Sequence, residues 1–573
     1  MGYLVGGFKM KFKDFPYSRP DLEKLKGEFK TLLEQFKGAE SFHEQDRLLM
    51  AINSLRGKFD SMSQIASIRQ TIDTNDTYYE REQEFFDENL PIYQGLISEF
   101  YQVLLDSSFR RELEQKWGKQ LFRIAELTLK TFKPEIIEDL QAENKLSTEY
   151  TKLIASAKIY FAGEERNLSG LGPFLQSTDP VLRKRAHEAK YAFFAEHEET
   201  LDTIYDQLVK VRTRIARKLG YPNYVGLGYA RMLRSDYDAQ MVADFRKQVQ
   251  EDIVPLTSRL RERQRQRLGL ENLYYYDEKT SFNSGNPQPH GEPDWIIKQG
   301  RKMYGELSAE TEEFFDYMVS HELMDLVTKK GKAGGGYCTY ISEHQAPFIF
   351  SNFNGTSGDV DVLTHEAGHA FQVYSSRHHT LPEYQWPTYE SCEIHSMSME
   401  FFAWPWMELF FAEEADKYRF QHLSEALLFI PYGVSVDEFQ HFVYENPDAT
   451  PAQRKAAWRE IERKFLPHRN YEGNQYLENG GYWHQQGHIF GNPFYYIDYT
   501  LAQICAFQFW KKSRMNAQEA WQDYLRLCQV GGSLSFLDLV ELGQLVSPFQ
   551  AGCLKSVAET INQWLEQVDD WKF

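Results

Sequence analysis

His365, Glu366 and His369 stand together in the stretch DVLTHEAGHAFQVY, residues 361–374 of a 573-residue chain. On a helix, residues four apart share a face one turn apart, so both imidazoles can reach one metal ion at ~2.0–2.1 Å. Glu366 lies beside that face, where its carboxylate can reach a water on the metal rather than the metal itself. Ala367 and Gly368, between the ligands, leave room for a substrate to come close. A catalytic zinc takes three protein ligands and keeps one position open. A third histidine six residues after His369 is excluded, because that position is Ser375.

The third ligand must then come from further along, and YESCEIHSMSMEFF (389–402) offers Glu390, Glu393, His395 and Glu400. Glu393 follows His369 by 24 residues and can sit on a second helix packed antiparallel to the first. Glu400 is two turns further along the same face, where it can brace a ligating histidine or form an ordinary surface ion pair. His395 points roughly 200° away from Glu393 on that helix. Cys392 reads as a small buried apolar group.

A second cluster, GGYWHQQGHIFGNPFYYIDY (480–499), gathers phenols and imidazoles of the kind that donate hydrogen bonds to a developing oxyanion. His484 and His488 are four apart, but no carboxylate at helical spacing completes a second metal site, and Gly487 and the Gly-Asn-Pro break interrupt a helix there. After Pro493 the pattern predicts a helix on which Tyr496 and Tyr499 share a face while Tyr495 points elsewhere.

The elements that must position these groups are mostly helical. From Asp21, apolar residues recur at Leu22, Leu25, Phe29, Leu32, Leu33 and Phe36, one stripe of a 3.6-residue period. Similar patterns run to about residue 265, a Gly/Pro/Asn-rich loop is expected over 274–295, and helical periodicity resumes near Val360. APFIFSNF (346–353) is the one convincing strand. GKAGGG before it lacks the Gly and Ser/Thr of a phosphate loop. Gly334, Gly335 and Gly336 would let a backbone approach closely, and an extended peptide can add to the strand edge near Phe350. These four residues form the expected substrate-binding set.

Composition narrows the class. Hydrophobic content of 42% and charged content of 26% are those of a globular protein, and a net charge of −19 repels phosphate backbones. No run approaches the ~18 apolar residues of a membrane span. Five scattered cysteines fit a reducing cytoplasm. GYLVGGF, followed by KMKFK, makes a poor secretory signal, and residues 1–9 read as an extension before Met10.

HEAGH followed at this distance by EIHSMSME resembles the thimet oligopeptidase and oligoendopeptidase F group of zinc peptidases. FIFSNFNGTSGDVDVLTHEAGH is similar to its oligoendopeptidase F, Pz-peptidase-like branch, and FKDFPYSRPDLE is a looser match. The resemblance implies that Glu393 is the third ligand of a single zinc ion. It also implies that His488, Tyr499 and then Tyr496 bond the substrate carbonyl and the tetrahedral oxygen, although GNPF stands where distant members have a Gly-Tyr pair. The implied body is mainly α, two-lobed and neurolysin-like, with a small sheet beside the motif helix and a deep central channel. The expected lobes are 10–190 and a catalytic 191–573.

The expected activity is zinc-dependent cleavage of internal bonds in short unstructured oligopeptides, with Glu366 as general base on zinc-bound water. The alternative is a metallocarboxypeptidase or dipeptidase with the same motif. That would need a charged group for the terminal carboxylate, and the quoted cleft segments hold only Arg377. A catalytically silent peptide binder would be expected to have lost Glu366 or a ligand. The implied partners are oligopeptides, with no nucleic acid and no membrane, and the oligomeric state is left open.

Overall fold

The amphipathic stripe that begins at Asp21 forms the helix Leu22–Gly38, started by the Asp21 carboxylate accepting the Lys24 backbone N–H at 3.0 Å. Its periodic residues Leu25, Phe29, Leu33 and Phe36 are the buried ones. The computed structural model describes residues 10–573, so the extension expected over 1–9 lies outside the described residues. The chain is mainly α throughout, with long helices such as Phe42–Ile72, Thr77–Leu105 and Ala415–Glu445. Two larger apolar cores result. One is built from residues 25–125 together with Leu381 and Tyr384, and the other runs through most of the remainder. The expected lobe boundary after residue 190 falls inside the helix Pro180–Glu196.

The loop expected over 274–295 is free of strand and pinned from within, but its last three residues belong to the helix Pro293–Leu307. Asn286 accepts the Ser281 N–H at 2.7 Å and donates to the Lys279 carbonyl at 2.7 Å. A hairpin of Ile159–Phe161 with Glu164–Arg166, which no sequence pattern announced, turns at Ala162 and Gly163, both at positive φ.

The small sheet has three strands. Ala346–Phe353 lies at its centre, parallel to Met324–Val327 and antiparallel to Tyr337–Ile341. This overturns one expectation: with neighbours on both sides, APFIFSNF has no free edge for a peptide. Met324–Val327 and Tyr337–Ile341 are the edge strands. The chain then turns at Asn354 and Gly355, whose backbone N–H groups bond Asp359 at 2.9 and 2.8 Å, and enters the motif helix Gly358–Ser375.

Candidate metal centre

Two helices build the site, the motif helix Gly358–Ser375 and the helix Tyr389–Phe402. His365 meets both Glu393 and Glu400, Gly368 meets Ser396, and His369 meets Glu393, so the pairing order runs in opposite directions along the two helices. They are antiparallel. A Cβ on Gly368 would lie 2.6 Å from the Ser396 Cα and 2.7 Å from the His395 carbonyl oxygen. The glycine in the motif therefore serves helix–helix approach, and Ala367 is buried beside it. The room expected there for a substrate is filled by the second helix.

The approach brings three ligand atoms together. Glu393 Oε2 lies 3.2 Å from His365 Nε2 and 3.3 Å from His369 Nε2. Two atoms each ~2.0–2.1 Å from one ion at a tetrahedral angle are separated by about 3.3 Å, so the three residues fit a zinc ion. Among the described residues they are the group of histidines and carboxylates so placed. Burial pushes the Glu393 carboxyl up, and His369 and His365 more than reverse this, holding it below the ordinary carboxylate range.

Glu400 meets one of these histidines, as the spacing allowed. His365 Nδ1 lies 2.7 Å from Glu400 Oε1, and His422 Nε2 lies 2.8 Å from Glu400 Oε2. The Trp404 indole N–H donates to His422 Nδ1 at 3.0 Å. Because that nitrogen accepts, the His422 proton sits on Nε2 and goes to Glu400, which takes the His365 Nδ1 proton with its other oxygen. The His365 Nε2 lone pair is thereby left for the metal. His422 escaped sequence reading because it lies on a third helix, Ala415–Glu445. Glu393 is held on both oxygens: Ser396 donates to Oε2 at 2.9 Å, and the Tyr495 hydroxyl donates to Oε1.

The other candidates are placed elsewhere. His395 is buried with Nδ1 on the Ser391 carbonyl at 2.6 Å, and burial pulls it down to about 4. Glu390 takes the Thr388 hydroxyl at 2.7 Å. His484 is shared between Asp202 and Tyr476.

Beside the ligands opens a cavity of about 660 Å³, lined near the metal site by Gly336, Cys338, Glu366, His488, Tyr495 and Tyr499. Glu366 is buried, its Oε2 has no hydrogen-bond partner, and burial raises its carboxyl above the ordinary range against the pull of His365 and His369. Gly336 fits against it, since a Cβ there would lie 3.1 Å from Glu366 Oε1. Of the expected substrate-binding set, Gly336 reaches this wall. Gly334 and Gly335 are exposed away from it, and Phe350 is fully buried, stacked on Tyr337 with ring centroids 4.7 Å apart.

His488 Nε2 is 3.0 Å from the Tyr499 hydroxyl, and its Nδ1 is 2.9 Å from the Gln486 amide nitrogen. Tyr432 fixes that amide by donating to Gln486 Oε1 at 2.8 Å. His488 is neutral, burial having lowered it to about 4, and its Nε2–H goes to the Tyr499 oxygen. The Tyr499 proton is left for an acceptor in the cavity. Tyr496 packs against His488 and Tyr499, as the shared face requires, and also against Phe429 and Tyr432, but it is not part of the cavity wall, whereas Tyr495 is. The helix starts at Tyr496, so Tyr495 precedes it by one position and stands one full turn from Tyr499, their rings stacked at 5.0 Å.

The sequence pattern of the Peptidase M3 N-terminal domain matches residues 12–132, and that of Peptidase family M3 matches 174–292 and 302–559. An oligoendopeptidase F homolog of Borreliella burgdorferi is 22% identical over 383 residues, covering 64% of this chain and 62% of that protein. Oligopeptidase PepF of Bacillus subtilis is 21% identical over 398 residues, 66% of this chain and 57% of its own length. The chain thus spans about three-fifths of the length of these curated relatives. A solved structure of Pz peptidase A with an inhibitor is 64% identical, with a TM-score of 0.98 over 98% of this chain and 100% of that one.

Proposed function

The chain belongs to peptidase family M3, and from that premise we propose that it is a zinc-dependent endopeptidase cleaving short, unstructured oligopeptides. The observation that carries this reading is the spacing of His365, His369 and Glu393 with Glu366 buried and unpartnered beside them. A zinc ion held there would supply a Lewis acid that polarises the scissile carbonyl and lowers the pKa of water toward ~7. Glu366 takes the proton of the attacking water and returns it to the leaving amine. Tyr499, oriented by His488, donates its hydroxyl proton to the carbonyl oxygen as negative charge develops.

An exopeptidase that holds the substrate's terminal carboxylate needs a free cation in the cavity. Arg56 does line it, but Glu383 neutralises it at 2.7 Å. The endopeptidase is therefore the better reading. A cytoplasmic setting is proposed with it, resting on five unpaired thiols. Among the described residues no helix is long and apolar enough to cross a membrane.

The test is mass spectrometry of mixed unstructured peptides incubated with the wild type and with Glu366→Gln. Internal cuts are expected from the wild type, native globular proteins are expected to be spared, and Glu366→Gln is expected to keep its zinc while losing ~10²–10⁴-fold in turnover. Loss of single residues from one end would move the reading to an exopeptidase, and an unchanged rate in Glu366→Gln would sink the mechanism.

A further inference from the structure

Five of the chain's 11 tryptophans surround a second cavity, of about 560 Å³, that shares no wall residue with the metal-centre cavity. They are Trp404, Trp406, Trp510, Trp521 and Trp564, and Arg514 completes the ring. The volume is that of a small-molecule site, ~300–1,000 Å³, and the faces are those that hold flat apolar ligands.

The polar groups of this wall differ in whether they are already engaged. Arg419 is bonded to Glu408 at 2.7 Å and Asp416 at 2.9 Å, and the Trp406 indole donates to Glu306 at the rim at 2.8 Å. Arg514 is different. Its guanidinium lies 5.0 Å from the Trp510 ring and 5.9 Å from the Trp564 ring, and no acidic group acts on it, burial alone pulling its pKa down. The indole N–H groups of Trp510 and Trp521 are also buried with no acceptor. The exposed Gln518 amide can donate or accept, so Arg514, itself exposed at the mouth, is the one unpaired charge of this wall, in a chain whose net charge is −19. A ligand cation would meet the indole faces but be repelled by Arg514, whereas an anion with an aromatic body is matched by both the faces and the charge. A guanidinium over aromatic faces holds a carboxylate through charge-assisted hydrogen bonds, more strongly where water is partly excluded.

We propose that this cavity binds a small aromatic carboxylate, with its ring among the tryptophans and its carboxylate on Arg514. The proposal concerns binding and does not depend on the reaction assigned to the metal centre. One wall residue, Trp404, is also the first member of the hydrogen-bonded series that passes through His422 and Glu400 to His365.

The experiment is isothermal titration calorimetry of the zinc-loaded full chain with 1-naphthylacetate and with 1-naphthylacetamide, which has the same shape without the charge. The acid is expected to bind saturably, one per chain, with the amide at least ten-fold weaker. Arg514→Gln is expected to lose ten-fold or more in affinity and Arg514→Lys to keep most of it, while peptide hydrolysis by Arg514→Gln stays at the wild-type rate and reports an intact fold. Equal affinity for acid and amide would overturn the proposal, as would no binding by wild type up to about 5 mM, a Kd too weak for a useful site. Binding that survives Arg514→Gln would place the carboxylate at the metal centre instead and would equally overturn it.

Discussion

At the scale of single residues, the clustering of His365, His369 and Glu393 was legible because its parts are local. His365 and His369 are one turn apart, Glu393 and Glu400 two turns apart, and each pair states its geometry as soon as a helix is assumed. The tyrosines were less legible because their phase depends on where a helix begins. Phe494 takes a positive φ of 68°, which ends the turn after Pro493 and lets the helix start at Tyr496. Tyr495 then joins Tyr499 at the cavity wall, and Tyr496 packs behind them against His488 and Phe429. The two residues can be told apart by activity. Tyr499→Phe removes the one hydroxyl proton that the His488 contact leaves free, and should lower kcat by ~10²–10³ with little change in KM, the cost of one oxyanion donor. Tyr496→Phe should leave both constants near wild type. Steady-state kinetics on one internally quenched peptide decides this, and a large loss in Tyr496→Phe with none in Tyr499→Phe would reverse the assignment.

At the scale of elements, what sequence could not supply is the contact between helices. Glu400 reads in sequence as a possible brace or a surface charge, and the support for a brace comes from the helix Ala415–Glu445, which brings His422 to its second oxygen. Glu400→Gln keeps the shape but offers one acceptor where two N–H groups, from His365 and His422, need one each. One contact becomes donor against donor, and zinc affinity should fall ~10–100-fold, measured by competition with a chromophoric chelator. An unchanged affinity would return Glu400 to an ordinary ion pair.

The same helices carry a second, titrating contact. Glu390 on Tyr389–Phe402 and Asp498 on Tyr496–Met515 are both buried, and burial raises both carboxyls, Arg234 at 2.8 Å opposing the rise at Asp498. Thr388 and Tyr237 donate to this pair as well. Burial and then Asp498 push the Glu390 carboxyl up to about 8, the higher of the two. A carboxyl whose folded pKa is raised gives stability that is complete below the unfolded value, ~4.3, and is lost as pH rises toward 8. Glu390→Gln removes that titration. Its melting temperature should match wild type near pH 5 and exceed it at pH 8, and parallel curves across that range would show that Glu390 is ionised throughout.

At the scale of the whole molecule, the metal-centre cavity is walled by segments hundreds of residues apart, and periodicity says nothing about such meetings. Arg56, Ile97, Tyr101 and Gln120 come from the first helices, and Pro382 and Glu383 from the connection between the two ligand helices. That connection is gripped by the N-terminal helices. Leu381 and Tyr384 belong to their apolar core, and Tyr384 accepts the Leu121 N–H at 3.0 Å. Between these residues Glu383 takes both the Arg56 guanidinium at 2.7 Å and the Tyr101 hydroxyl at 2.6 Å.

Sequence reading found neither Arg56 nor Glu383, because an arginine in an amphipathic helix reads as a solvated face until its partner is known. The pair is nearly water-free, so removing one partner strands the other. Arg56→Ala should destabilise the chain by ~3–5 kcal/mol in denaturant unfolding. The double change Arg56→Met with Glu383→Leu replaces two paired charges by apolar volume and should recover most of that loss. Peptide hydrolysis by the double variant separates two roles for the pair. Wild-type kcat/KM would mean that it only fastens the N-terminal helices to the connection between the ligand helices. A stable protein with reduced kcat/KM would mean that the charges themselves meet the substrate, and that the N-terminal helices are part of the binding wall rather than a cover over it.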